Sequence, residues 1–340
     1  MSQQPSEITV QRLPADVLSA VYMGVQMGTI AVTTPLFDSA SRIVHIGDSS
    51  EQTLWEGTTG TAPQVLWVDE ITVLAWVAGE VLLAITHGSD GVISTELRPA
   101  KGTTAPEIIA HGSGGLIAMR RGADGLQLSG LTLSENGYAY AKSTTPLPDI
   151  AHDSRVSALC DMGQNGMLML ADNARKGFEG WHLSADGTWQ QVITKGHWRD
   201  GLNGVVSATC VHGDAVLMGA GLSAQSERVL FGLPVMPEVL MWQPDTSCQL
   251  ITGELRVGPE ALILPLSGAA SPTGGAAGRI TAICQHGDVV HLAMQRSTGS
   301  ALILALTPDH QLRILQAVEG TVLAMQRDPD GANGLRVLAA

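Results

Sequence analysis

A short apolar phrase returns along this chain at long, fairly regular intervals. It reads Leu18-Ser19-Ala20-Val21-Tyr22, Thr72-Val73-Leu74-Ala75-Trp76 and Gly115-Leu116-Ile117-Ala118-Met119. It returns as Val156-Ser157-Ala158-Leu159-Cys160, Val206-Ser207-Ala208-Thr209-Cys210, Ile280-Thr281-Ala282-Ile283-Cys284 and Thr321-Val322-Leu323-Ala324-Met325. Around each copy, runs of about seven residues are broken by turn residues. From the fourth copy the pattern predicts strands near 156–162, 166–172, 177–183 and 188–194. Asn165-Gly166, Ala174-Arg175-Lys176 and Asp186-Gly187 separate them. Asn-Gly and Asp-Gly favour two-residue hairpins, because both central residues tolerate positive φ. Similar pairs stand at Asp90-Gly91, Asp124-Gly125, Asn136-Gly137 and Asn333-Gly334. No stretch carries a clear helical period.

Most copies follow one another at roughly the 40–50 residues of a four-stranded propeller blade. The longer gaps contain insertions, the largest at 225–278 and rich in Pro, Gly and Ala. The last copy is followed by only about two strands, and Ile8-Thr9-Val10-Gln11-Arg12-Leu13 precedes the first. The chain therefore resembles the β-propeller class. The resemblance implies an all-β, seven-bladed β-propeller of four-stranded blades, with a closing blade shared by the N- and C-terminal segments. Such closure leaves no free sheet edge. Residues 1–340 are then one domain, with 225–278 an inserted loop region in the fifth blade. The chain has no Trp-Asp ending and no kelch double glycine, and Ser184-Ala185-Asp186-Gly187-Thr188-Trp189 is one residue short of a sialidase Asp-box. That segment reads as an ordinary hairpin turn. Propellers host many unrelated functions, so the resemblance implies no particular activity.

Charge narrows the range of partners. The formal net charge is −13, and only 15% of residues are charged while 44% are hydrophobic. A broad attraction to nucleic acid or to an anionic membrane is therefore not expected. Cationic ligands fit the balance better. The opening MSQQPSEITVQRLP has neither a basic region nor an apolar core, so no secretory signal is read there. The apolar stretch 65–86 is interrupted by Asp69, Glu70 and Glu80, so membrane insertion is not expected either. Both points place the chain in the cytoplasm, or in a larger assembly there. Cys160, Cys210 and Cys284 hold one place in three copies and read as small buried hydrophobes. With no CxxC pair, a structural zinc site has no support.

In a propeller the loops leading into the innermost strands open on one face of the central channel. The residues just before each copy include Asp69, His111, His152, Asp153, His197, Trp198, Arg199, Asp200 and Arg279. Imidazoles from successive blades would suit a divalent transition metal, with His111, His152 and His197 as ligands. Asp153 or Asp200 would orient those ligands or act as base, and Arg199 or Arg279 would hold an anion. Without a metal, His197, Trp198, Arg199, Arg279 and Asp69 remain candidates for ligand contact. His212-Gly213-Asp214 and His286-Gly287-Asp288 form matching turns that open on the opposite face, and they read as structural. The apolar phrase 228–237 reads as a lid, a docking segment or packing on its own blade.

The leading expectation is a non-enzymatic binding or assembly protein. It would hold a protein partner or a small-molecule ligand on the face where the chain enters each innermost strand. The alternative is a metal-assisted lyase or hydrolase at the channel mouth.

Overall fold

The computed structural model describes residues 7–33, 40–48, 50–58, 64–69, 72–76, 82–89, 91–100, 106–122, 125–135, 137–141, 148, 150, 154–173, 177–193, 204–222, 238–244, 246, 248–250, 254–257, 262–265, 277–296, 299–307, 312–331 and 333–340. Strands dominate them, as the hairpin pattern requires. No helix among them is long and apolar enough to cross a membrane. The chain divides into two compact units. One comprises Met1–Ile8, Pro148–Arg327 and Ala339, and the other Thr9–Leu147, Asp328–Leu338 and Ala340.

The unit built on Thr9–Leu147 starts from β1 (Glu7–Arg12) and continues with an antiparallel four-stranded sheet. That sheet is β2 (Val17–Tyr22), β3 (Thr29–Thr33), β4 (Ala40–Ile46) and β5 (Glu51–Thr58). A second set of four is β6 (Gln64–Asp69), β7 (Thr72–Trp76), β8 (Leu82–Gly88) and β9 (Gly91–Pro99). A third is β10 (Pro106–Gly112), β11 (Gly115–Gly122), β12 (Gly125–Ser134) and β13 (Gly137–Tyr140). The outer strands β9 and β13 pair in parallel through Gly137↔Arg98 and Tyr138↔Pro99, which joins the two sets edge to edge. The first strands β2, β6 and β10 pack in succession and so lie innermost.

The other unit repeats the plan. Its first sheet is β14 (Arg155–Asp161), β15 (Met167–Asn173), β16 (Gly177–Leu183) and β17 (Trp189–Ile193), with a single 3-10 turn at Gly163–Asn165. The next set is β18 (Gly204–His212), β19 (Ala215–Leu222), β20 (Glu238–Trp242) and β21 (Gln249–Leu250). A hairpin of β22 (Glu254–Val257) and β23 (Leu262–Pro265) follows. Then come β24 (Ala277–His286), β25 (Val289–Arg296), β26 (Ser300–Leu306), β27 (Leu312–Glu319) and β28 (Val322–Arg327). The innermost strands β14, β18, β24 and β28 again pack in succession. At the far end of the chain β29 (Gly334–Ala339) is the neighbour of β1 in one sheet.

The core lies between successive sheets. Second strands have sheets on both faces, so they are apolar without alternation. Every residue of β3 is buried, and Val73, Leu74 and Ala75 of β7 are 0% exposed. One cluster joins Leu168, Leu170 and Ile193 to Val216, Met218 and Trp242, and another joins Leu217 and Val239 to Val290, Leu292 and Leu304.

Three expectations need correction. First, the repeated phrase does not always mark the same strand. It falls on the innermost strand in β2, β14, β18, β24 and β28, but on the second strand in β7 and β11. Second, the stretch 225–278 is not only loop, since it supplies β20, β21 and the β22–β23 hairpin. That hairpin pairs in parallel with β27 through Leu255↔Leu312 and Arg256↔Arg313. The apolar phrase 228–237 lies outside the described residues. Third, Gly91, Gly125, Gly166 and Gly187 do adopt positive φ, but Gly137 and Gly334 do not. At Gly137 the requirement is space, because a Cβ there would lie 2.6 Å from the Arg98 carbonyl oxygen.

Candidate functional site

Of the residues singled out in the sequence, His152, Asp153, His197, Trp198, Arg199 and Asp200 lie outside the described residues. Arg279 is placed by its backbone in β24, opposite Gln295 and beside Gly221. Asp69 and His111 are described and exposed, but not where the repeat placed them. Asp69 ends β6 opposite Thr72, and His111 faces Leu116 near the end of β10. Both belong to turns between a first and a second strand. In their own blades they therefore sit at the end opposite the loops that lead into innermost strands. The slip has a physical cause: β7 and β11 are the more apolar strands of their blades and mimic the phrase. Among the described residues no three His, Cys, Asp or Glu side chains converge as a metal site.

Other histidines lock turns. An imidazole nitrogen of His45 is 2.7 Å from the Met27 carbonyl oxygen, and one of His182 is 2.8 Å from that of Asn165. In the Ser184–Thr188 turn the Ser184 hydroxyl and the Thr188 N–H donate to Asp186, which holds its carboxyl below the usual carboxylate range. These bonds close a hairpin, as expected. The thiols of Cys160, Cys210 and Cys284 are free of disulfides, and burial raises all three, to about 11 for Cys160 and about 12 for Cys284. Cys160 is buried as expected, whereas Cys210 and Cys284 are only partly buried.

Asp172 was not visible as a site from the sequence. It lies in β15 opposite Arg155, and burial pushes its carboxyl up to about 6. The Ser157 hydroxyl, which donates to the Leu170 carbonyl at 3.4 Å, and the Val206 N–H lie beside it and oppose that shift. Ser157 is available because the strand is bulged there: Val156 pairs with Ala171 and Ala158 with Leu170, leaving Ser157 over. Ser207 and Thr281 occupy the same bulge in β18 and β24. In these three copies the hydroxyl position is thus a bulge in the backbone register, whereas in β2 the register skips Leu18 instead.

The two His-Gly-Asp turns border a cleft of about 660 Å³. His212 pairs with Ala215 and His286 with Val289, so Gly213-Asp214 and Gly287-Asp288 are two-residue hairpin loops. Gly213 and Gly287 have φ of 63° and 60°, the left-handed conformation such loops need. The cleft runs between the β18–β21 and β24–β27 sheets. Leu217, Met241, Val290 and Leu306 form its floor and belong to the apolar cluster between those sheets. His212, Asp214, Gln243, Gln285, Asp288 and Thr307 supply the polar lining. The Gln243 side chain donates to Asp214 at 3.2 Å, and that of Gln285 donates to the Gly287 carbonyl at 3.0 Å. Asp214 and Asp288 are exposed, and among the described residues no lysine or arginine lines the cleft. The available signal was the His-Gly-Asp triplet repeated in two blades, which turn chemistry alone accounted for.

No protein-family model matches the chain, and no curated protein sequence matches it. Its fold is matched among solved structures. The WD40 repeats of RRP9 superpose with a TM-score of 0.50 at 12% identity, over 96% of this chain and 89% of that one. The fold is a β-propeller. Sqt1 of Saccharomyces cerevisiae gives a TM-score of 0.49 at 10% identity, over 96% of this chain and 79% of that one. The propeller forms here without the Trp-Asp ending.

Proposed function

We propose that this chain is a binding or assembly protein that holds a protein partner on the rigid rims of its blades. The cleft between the His-Gly-Asp turns carries this reading. It joins an apolar floor to a polar margin, as binding sites generally do, and its size falls within the usual range for them. Both turns are anchored by paired strands, so the lining is preorganised. Propellers of known structure that resemble this one, such as the WD40 repeats of RRP9, support it at the level of architecture. The loops leading into the innermost strands, with His152, Asp153, His197, Trp198, Arg199 and Asp200, are the proposed second contact face.

Light scattering on protein purified under mild conditions from its native source tests this reading. The expected result is a particle heavier than the 35.5 kDa monomer that loses its partner on Met241→Glu. A strictly monomeric protein, or a complex indifferent to that change, overturns it.

A further inference from the structure

We infer that the His-Gly-Asp cleft takes the side chain of a lysine or arginine from an extended segment of the partner protein. This rests on the binding role proposed above and names the chemistry of its occupant. Two carboxylates, Asp214 and Asp288, enter the lining from two different blades, and among the described residues no lysine or arginine accompanies them. Asp214 accepts a hydrogen bond from the neutral Gln243 amide, and among the described residues no lysine or arginine pairs with it. The whole chain, at −13, adds to the attraction for a cation.

The floor decides the rest. Leu217, Met241, Val290 and Leu306 line its deep part, and Met241, half-buried where the others are buried, is the apolar side chain an occupant reaches first. A small hydrated cation gains nothing from such a floor. Lysine and arginine have an aliphatic stem that covers apolar surface while the charged head stays at a polar margin. In this cleft the stem would lie on Leu217, Met241 and Val290, with the head beside Asp214 and Asp288. The side chains of Gln243, Gln285 and Thr307 can then bond the backbone of the incoming segment. Acidic segments and nucleic acid are repelled by the same pair of carboxylates.

The test uses the full chain with its methionine methyl groups labelled for NMR, and follows the Met241 signal. The probes are acetyl-Gly-Gly-Lys-Gly-Gly-amide, its Arg and Gln counterparts, and n-butylammonium. The Lys and Arg peptides should shift the Met241 methyl, whereas the Gln peptide should not. Asp214→Asn with Asp288→Asn should weaken that binding roughly fivefold, as expected for two solvent-exposed ion pairs. About 0.5 M salt should weaken it similarly. Equal binding of the Gln peptide, unchanged affinity in the double variant, or butylammonium matching the peptide overturns the inference. If the peptides fail while the native complex is still lost on Met241→Glu, the occupant is wrong and the binding role stands. If the complex also survives Met241→Glu, both are wrong.

Discussion

His291 is 0% exposed, and neither ring nitrogen has a hydrogen-bond partner among the described residues. Burial, with His286 alongside, lowers its pKa from 6.5 to about 4. Between these values the unfolded chain carries a proton that the folded chain rejects, so acid favours unfolding. Asp172 behaves in the opposite sense. Folded, it takes up its proton near pH 6; unfolded, only near 3.8, so acid favours the fold across that window. The two effects offset each other in nearly the same range. Urea unfolding from pH 7 to pH 4 should therefore separate two variants. His291→Leu should gain stability relative to the parent as the pH falls from 6.5 towards 4. Asp172→Asn should lose stability relative to the parent as the pH falls from 6 towards 3.8. Parallel profiles for all three proteins would remove this account. Neither residue stood out in the sequence, because a lone histidine in an apolar strand shows nothing of which neighbours it meets. The cysteines did stand out through their shared position in three copies, and burial follows that reading at Cys160 but only in part at Cys210 and Cys284.

At the scale of the element, edge pairing by β13 depends on a missing side chain. Gly137→Ala would place a methyl group against the Arg98 backbone, which cannot swing aside, and should cost about 1–3 kcal/mol in chemical denaturation. Gly130→Ala is the matched control. Its added Cβ would meet Ala141 at an ordinary 3.5 Å, so the change should be neutral or slightly stabilising. Equal effects at both positions would contradict the close-approach argument. Element order and hairpin spacing were legible in the sequence because turns such as Asp186-Gly187 and Asn165-Gly166 carry their own local chemistry. Strand rank was not. β7 and β11 imitate innermost strands because a second strand, buried on both faces, shows an unbroken apolar run. That one-strand slip moved Asp69 and His111 to the wrong end of their blades. The cleft escaped notice for a related reason: each His-Gly-Asp turn is ordinary alone, and only the packing of neighbouring sheets makes the pair a site.

Across the whole molecule, residues far apart in sequence fasten the last hairpin to the first sheet. The Tyr22 hydroxyl donates to Asp330, and the Val25 N–H donates to the same carboxylate at 3.0 Å. Arg336 lies 4.0 Å from the centre of the Tyr22 ring and bonds Asp328 at 3.0 Å. Burial and the bond to Asp330 push the Tyr22 hydroxyl up to about 12. Tyr22→Phe removes a bond to a charged group and should cost about 1.5–3 kcal/mol. Arg336→Ala should cost more, about 3–5 kcal/mol, because it leaves the buried Asp328 without its cation. Tryptophan fluorescence in a urea titration measures both, and a smaller loss for Arg336→Ala than for Tyr22→Phe would refute this ranking.

The pairing of β1 with β29 has a mechanical consequence. A pull applied at the two ends of the chain reaches the sheet that both ends share before it reaches any other. That sheet is the fuse of the molecule, and the Tyr22–Asp330–Arg336 latch is the next link to take the load once β1 has peeled away.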